Sequence, residues 1–170
     1  PSHGAIWTDH IPEILDCYRK WDSNYQEDQI TIIYDTMWQA TRRMAEAIAD
    51  GIRAAHPETR VVLMNATKDD KNDILLETFH SREILVGCPT VNLGMTFAIA
   101  GMLEMIHGMR FKGKKAAVFS SFGWGGGAEK RIQQRLEEAG FEIAAQPLKV
   151  KWAPDSDAEK ECREWGKAIS

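Results

Sequence analysis

The sequence has few cysteines, and none of them are close together in the chain. Cys17, Cys88 and Cys162 are the three cysteines, an odd number without a C-x-x-C pair. They indicate neither a disulfide framework nor a zinc site, and they favour a reducing compartment. No apolar run approaches the roughly 18 residues that a membrane span needs, and no basic-then-apolar signal pattern opens the chain. The sequence therefore predicts a cytoplasmic protein without membrane contact.

An excess of positive charge is also missing. Lysine and arginine total 21 against 25 aspartate and glutamate residues, which gives a formal net charge of −4. The basic residues are scattered, and the densest pair, Arg42-Arg43, suits the solvated face of a helix. Nucleic-acid partners usually require a clustered basic surface. No nucleic-acid partner is expected.

What the chain does contain is a regular alternation of apolar runs and helical patterns. Its 170 residues, 44% of them apolar, suit one globular domain with a sizeable core. Strands are predicted over 30–34, 60–65, 84–87, 115–119 and 141–145, and helices over 11–25, 41–55, 71–81, 97–107, 128–139 and from about 155 to the end. Such alternation predicts an α/β fold, a doubly wound five-stranded parallel sheet with the order 2-1-3-4-5.

The segment 34–41 links the first predicted strand to its helix. Its helix start leaves backbone N–H groups unpaired at the positive end of a helix dipole, and Thr36 and Thr41 add two hydroxyl donors. This segment has neither G-x-G-x-x-G nor G-K-[ST], which argues against a dinucleotide or a nucleoside triphosphate. A terminal monophosphate remains, and so does the alternative of a helix start that binds nothing.

Two further loops share the composition of a binding site. Strands one, three and four lie side by side in the order 2-1-3-4-5, so the loops that follow them, 36–41, 89–92 and 121–127, meet at one edge. Thr90 and Asn92 offer hydrogen-bond partners, while Phe122 and Trp124 stand among glycines. Glycine-rich turns also occur in loops that bind nothing, but three unusual loops at one edge favour a planar aromatic ligand with a phosphate.

These three loops resemble the FMN-binding loops of the flavodoxin-like domain in flavodiiron proteins. The runs that carry the resemblance are Tyr34-Asp35-Thr36-Met37-Trp38, Val86-Gly87-Cys88-Pro89-Thr90-Val91-Asn92 and Phe122-Gly123-Trp124-Gly125-Gly126-Gly127-Ala128. The resemblance covers essentially the whole chain. Two other runs, Lys71-Asn72-Asp73-Ile74-Leu75 and Lys151-Trp152-Ala153-Pro154-Asp155, resemble the flavorubredoxin branch, the anaerobic nitric oxide reductases.

The resemblance also implies a domain division. The opening run Pro1-Ser2-His3-Gly4-Ala5-Ile6-Trp7 is similar to the end of that family's metallo-β-lactamase-like diiron domain, in which His3 would be an iron ligand of the full-length parent only. Residues 1–28 are then the tail of that domain plus a linker helix, and 29–170 form the FMN-binding domain. The start at Pro1 instead of methionine likewise favours a fragment, which would lack the diiron centre of the parent.

By the same resemblance, the cofactor is FMN and the domain relays electrons. The donor would be a rubredoxin or rubredoxin-like domain with its reductase, and the acceptor a diiron centre that reduces nitric oxide or dioxygen in a homodimeric or homotetrameric parent. No residue of the fragment needs to be an acid, base or nucleophile, since the flavin carries the redox chemistry.

Individual site residues follow from the matched loops. Thr36, Thr41 and loop N–H groups would hold the phosphate, Thr90 and Asn92 would read the ring edge, and Trp38, Phe122 or Trp124 would flank the ring. Ala40 departs from the serine or asparagine that is usual there. The expected cofactor-binding residues are Thr36, Met37, Trp38, Gln39, Ala40, Thr41, Pro89, Thr90, Val91, Asn92, Ser121, Phe122, Gly123, Trp124, Gly125 and Gly126.

Two other functions remain open from the sequence. A flavodoxin-like protein can act alone as a flavin or quinone reductase, and the same fold can serve as a non-catalytic binding or signalling module. A phospho-acceptor module would need several aspartates at the strand ends, where Asp35 stands alone.

Overall fold

The computed structural model describes Gly4 and residues 6–169 of the chain. Its elements in order are α1 (Ile11–Asp22), β1 (Glu27–Tyr34), α2 (Ala40–Ala55), β2 (Arg60–Asn65), α3 (Lys71–His80), β3 (Ser81–Pro89), α4 (Phe97–Met109), β4 (Lys115–Phe122), α5 (Ala128–Glu138), β5 (Glu142–Ile143), β6 (Leu148–Lys151) and α6 (Ser156–Lys167). Strands and helices alternate from β1 to β5, as the sequence predicts, and β6 follows β5 without a helix between them.

All strand pairs of the sheet are parallel, and the strand order is β2-β1-β3-β4-β5, with β6 also on β4. This confirms the predicted order. The central strand β3 reads as a nearly continuous buried run, as expected for a strand that is covered on both faces. Because β1, β3 and β4 are neighbours, the loops that follow them begin at one edge of the sheet.

The fifth strand position differs in detail from the prediction, which placed one strand over 141–145 and a loop after it. In the structure, two short segments occupy that position: β5 pairs with the start of β4, and β6 pairs with its end. Leu148 and Val150 are buried while Lys149 and Lys151 are exposed, which is the alternation of a half-buried edge strand. The segment after the break therefore extends the sheet to its carboxyl edge.

Two apolar layers cover the sheet. One contains α3, α4 and α5, and the other contains α2 and α6. The second layer is unusually close: a Cβ built on Gly51 of α2 would lie 2.1 Å from the carbonyl oxygen of Arg163, and one built on Gly166 of α6 would lie 2.3 Å from that of Ile48. The backbones of α2 and α6 thus touch where neither helix has a side chain.

The first helix lies apart from both layers. No residue of α1 is buried, and its link to the domain includes an edge-on contact of Trp21 with Phe79 at 6.2 Å between ring centroids. It ends at Asp22, earlier than the predicted helix over 11–25. The division at residue 28 stays a prediction, and His3 lies outside the described residues. Among the helices that the structure describes, none has the length and apolar composition to cross a membrane.

A buried carboxylate at the start of β3 provides a test of the core. Glu83 has no exposed surface, and neither of its carboxylate oxygens has a hydrogen-bond partner among the described residues. Burial raises the pKa of this carboxyl above its ordinary value, because the charged form loses its hydration. The contribution of Glu83 to the free energy of unfolding is therefore fully present below its unfolded pKa and is lost as the pH rises through its folded pKa.

We expect Glu83→Gln to raise the free energy of unfolding at neutral pH, by about 1 kcal/mol, since burying a neutral amide costs less than burying a charge. Urea denaturation between pH 4 and 8 checks this, and the gain should shrink toward the acid end. Glu58→Gln, at an exposed position, is the matched control. A Glu83→Gln variant that is less stable than the parent across the whole range would contradict the argument.

Candidate functional site

A crevice of about 580 Å³ opens at the carboxyl edge of the sheet. That volume falls within the roughly 300–1,000 Å³ typical of small-molecule sites. The lining residues are all uncharged: Thr36, Met37, Trp38, Ala40, Thr41, Pro89, Thr90, Asn92, Leu93, Ser121, Phe122, Gly123, Trp124, Gly125, Trp152 and Ala153. The three loops that the sequence singled out therefore do meet in one place.

Three of the predicted site residues, Gln39, Val91 and Gly126, are outside this lining. Gln39 is the exposed residue that precedes α2, and the backbone of Val91 is paired with Gly94. Gly126 lies over a side chain of the following helix, with the nearest carboxylate oxygen of Glu129 3.2 Å from where a Cβ would be. Whether they contact a ligand through backbone groups stays a prediction.

The structure also adds lining residues that sequence reasoning missed: Leu93, Trp152 and Ala153. Leu93 directly follows the predicted second loop. The other two follow β6, and the alternation of apolar and lysine residues in β6 was the signal that could have located them. A fourth loop therefore contributes to the crevice.

One end of the crevice is the amino end of α2. The residue before the helix, Gln39, has left-handed backbone angles (φ 65°), its side chain makes no capping hydrogen bond, and the first turn has no acidic residue. The first N–H groups of a helix have no partner within it. Thr36 lines the same crevice, and its Oγ1 atom is buried and has no hydrogen-bond partner among the described residues. This arrangement fits an anion held by neutral donors and the helix dipole.

A second hydroxyl group nearby is already paired. Thr41 is fully buried, and its Oγ1 lies 2.9 Å from the Oγ of Ser121 on the end of β4. Either oxygen can donate, so one O–H of the pair stays free to donate elsewhere. The arginines that follow are turned to carboxylates: Arg42 pairs with Glu46 at 2.8 Å, and Arg43 with Glu159 at 2.8 Å.

Hydrogen bonds to Asp35 stabilise the loop after β1. Its Oδ1 accepts hydrogen bonds from the backbone N–H of Thr36 at 2.8 Å and from the hydroxyl of Thr67 at 2.9 Å. Thr67 belongs to the loop after β2, so Asp35 connects two neighbouring loops. The Asp35 carboxylate accepts hydrogen bonds that connect loops of the domain, and this role gives the signalling alternative no support.

The second and third loops are joined by one backbone and one side-chain hydrogen bond. The N–H of Thr90 donates to the carbonyl of Ser121 at 2.8 Å, and Thr90 Oγ1 accepts from the N–H of Ala128 at 3.4 Å. Asn92 and Leu93 form the tip of a tight turn, with φ of 49° and 59°. Such left-handed backbone is costly for residues with side chains and is concentrated at functional sites.

Large apolar side chains stand exposed around the crevice. Trp38 is 86% exposed, Trp124 is 93% exposed and Trp152 is 52% exposed. The rings of Trp124 and Trp152 meet edge to face, with centroids 5.1 Å apart and planes at 81°. Exposed aromatic surface of this extent usually marks a binding site, and flat rings suit a planar aromatic ligand.

Comparison with known proteins agrees with this geometry. A family profile described as Flavodoxin matches residues 32–166. The chain belongs to the flavodoxin family. Membership implies FMN as the cofactor. The uncharged donors at the amino end of α2 and the exposed aromatic side chains around the crevice of this flavodoxin domain fit that group.

The relatives of this flavodoxin domain are longer proteins. It is 53% identical to the anaerobic nitric oxide reductase flavorubredoxin of Vibrio vulnificus (strain YJ016), an alignment that covers 99% of the chain and 34% of the relative. The solved rubredoxin oxygen:oxidoreductase of Desulfovibrio gigas is 29% identical with a TM-score of 0.87, over 93% of this chain and 39% of that one. The predicted resemblance to flavodiiron proteins is confirmed, and the chain spans about a third of the length of the curated relatives it matches.

A free-standing flavodoxin provides the fold comparison. A flavodoxin from the domain Archaea superposes with a TM-score of 0.73 at 23% identity, and the match covers 83% of this chain and 95% of that one. This likeness shows the flavodoxin-like fold alone.

The flavodoxin domain has a cysteine beside its site, but the thiol is not activated. Burial raises the pKa of Cys88 to about 11, so the thiol stays protonated at neutral pH. In the described part of the chain, no group of three or more His, Cys, Asp or Glu side chains is placed to hold a metal ion.

Proposed function

We propose that this flavodoxin domain binds FMN in the crevice at the carboxyl edge of its sheet and serves as an electron-transfer domain. The observation that carries the proposal is the buried hydroxyl of Thr36, which has no partner among the described residues and lines the same crevice as the uncapped amino end of α2. A phosphate monoester would satisfy both groups at once, because it offers several acceptor oxygens and negative charge.

Each part of the crevice has a role in holding the cofactor. Thr36, the free hydroxyl of the Thr41–Ser121 pair and the first N–H groups of α2 hold the phosphate. Thr90 and Asn92 present polar groups to the ring edge, and aromatic side chains around the crevice shield the ring from water. When bound, the flavin supplies the reversible uptake and release of electrons, while the surrounding groups set its affinity and potential.

We further propose that the domain works within a longer flavodiiron protein. Its relatives are named flavorubredoxin and rubredoxin oxygen:oxidoreductase. A rubredoxin or rubredoxin-like domain with its reductase would deliver electrons to the flavin, and a diiron centre in the rest of the parent would pass them to nitric oxide or dioxygen. In this proposal, residues 1–28 are the tail of the diiron domain plus a linker helix, with His3 as an iron ligand of the parent, and the parent is a cytoplasmic homodimer or homotetramer.

Titration with two flavins tests the cofactor proposal. FMN and riboflavin share the ring and differ in the phosphate, so flavin fluorescence should show one FMN bound per chain and riboflavin bound at least about tenfold more weakly. Equal affinity for the two would contradict the phosphate site. Binding of neither at about 100 μM would contradict the function itself, since a dissociation constant above that corresponds to less than about 5.5 kcal/mol of binding free energy.

A further inference from the structure

The loop after β6 contributes Trp152 and Ala153 to the crevice lining, in addition to the three predicted loops. Trp152 follows β6 directly, and its backbone N–H donates to the carbonyl of Phe122 at 2.7 Å. Its φ of 61° is left-handed, which a bulky side chain adopts only when its surroundings hold it there. The backbone of Trp152 is thus held in a costly conformation at the end of β6.

What the indole contacts is the glycine-rich third loop. A Cβ built on Gly123 would lie 2.8 Å from Cζ3 and 3.1 Å from Cη2 of the Trp152 ring, so the ring lies directly against the glycine backbone. The same ring meets Trp124 edge to face at a centroid separation of 5.1 Å. Trp152 therefore contacts the third loop at two places, and about half of its surface remains exposed beside the crevice.

We propose that Trp152 is a positioning residue for flavin binding, which holds the third loop and the Trp124 ring in the arrangement that receives the isoalloxazine ring. This inference rests on the proposed function. It assigns Trp152 to recognition of the ring and leaves the phosphate to Thr36. Gly123 is required in this arrangement because the Trp152 ring occupies the space of any side chain there.

Substitution of Trp152 separates ring recognition from phosphate recognition. Trp152→Ala should weaken the binding of FMN and of riboflavin by a similar factor, about fivefold or more, since an ordered aromatic pair is lost in both cases. Trp152→Phe keeps an edge-on aromatic contact and should restore most of the affinity. Trp21→Ala, in α1 and outside the crevice lining, is the matched tryptophan control and should leave both affinities unchanged. Circular dichroism and urea denaturation establish that each variant is folded.

Gly123→Ala tests the same contact between the Trp152 ring and the Gly123 backbone by changing the glycine. The φ of Gly123 lies outside the left-handed region, so alanine is allowed by the backbone and its main effect is to displace the Trp152 ring. We expect Gly123→Ala to weaken FMN binding in the parent chain and to have no further effect in the Trp152→Ala background. Such non-additivity is the signature of two residues that act through one contact.

Two results would overturn the inference while leaving the proposed function standing. One is a Trp152→Ala variant that binds both flavins as the parent does. The other is a Gly123→Ala effect that persists in full without Trp152, which would mean that the added methyl group meets the flavin directly. A parent chain that binds neither flavin would overturn both proposals together.

Discussion

Replacement of Gly51 by alanine should destabilise the domain by about 1–2 kcal/mol. The added methyl carbon would lie 2.1 Å from the carbonyl oxygen of Arg163 and 2.9 Å from its carbonyl carbon, so the backbones of α2 and α6 would have to separate. Overpacking of this kind costs about 1–3 kcal/mol and sometimes more, which exceeds the roughly 1 kcal/mol that alanine gains over glycine within a helix. Urea denaturation with a constant slope measures the change.

Gly101→Ala is the matched control for this prediction. Gly101 lies in α4, is exposed, and has no described atom within 4 Å of an added Cβ outside its own helix and chain neighbours. The same substitution there should stabilise the domain by about 0.5–1 kcal/mol, because only the helix propensity changes. If Gly51→Ala behaves like Gly101→Ala, the close contact between α2 and α6 is wrong.

Thr36→Val should weaken FMN binding at least about tenfold and leave riboflavin binding unchanged. Valine has nearly the shape of threonine, so the change removes the buried hydroxyl that has no partner within the described chain. A hydrogen bond to a charged group contributes about 1.5–3 kcal/mol, which corresponds to a factor of ten or more in Kd. Fluorescence titration of the two flavins against the parent and the variant measures the difference.

Thr36→Ser supplies the matching control, since it restores the hydroxyl without the methyl group. FMN affinity should return close to that of the parent chain. An equal loss of FMN and riboflavin affinity in the valine variant would show instead that Thr36 shapes the loop or the ring site, and the assignment of its hydroxyl to the phosphate would then fail.

The sheet order and the convergence of three loops could be predicted because both follow from local patterns. Alternating apolar runs and helical patterns specify a parallel sheet, and right-handed crossovers leave few strand orders. Once β1, β3 and β4 are neighbours, Thr36, Pro89 and Ser121 must come to one edge, and the structure places them together in the lining. The observed strand order confirms the predicted flavodoxin-like fold.

The fourth loop could not be predicted in the same way, because β5 and β6 are very short. Two residues of β5 and four of β6 pair with different parts of β4, and a break separates them. The sequence predicts an edge strand that ends at residue 145, which puts Trp152 in a loop with no assigned position. Only the register of β6 on β4 brings Trp152 to the Phe122 carbonyl.

The hydrogen bond between the site hydroxyls could likewise not be predicted from the sequence. Thr41 and Ser121 were both expected at the site, but their mutual hydrogen bond spans 80 positions of the chain and depends on the register of α2 over β4. The same is true of Thr36, whose lack of a partner among the described residues is a property of the folded loop. Residue types indicated donors, and the fold decides which donor is free.

A crystal structure of this chain grown with FMN tests the central claim most directly. The account predicts the phosphate at the amino end of α2, within hydrogen-bond distance of Thr36 Oγ1 and the first N–H groups of the helix, and the ring among the loops that carry Thr90, Trp124 and Trp152. An empty crevice, or FMN bound away from the carboxyl edge of the sheet, would contradict it.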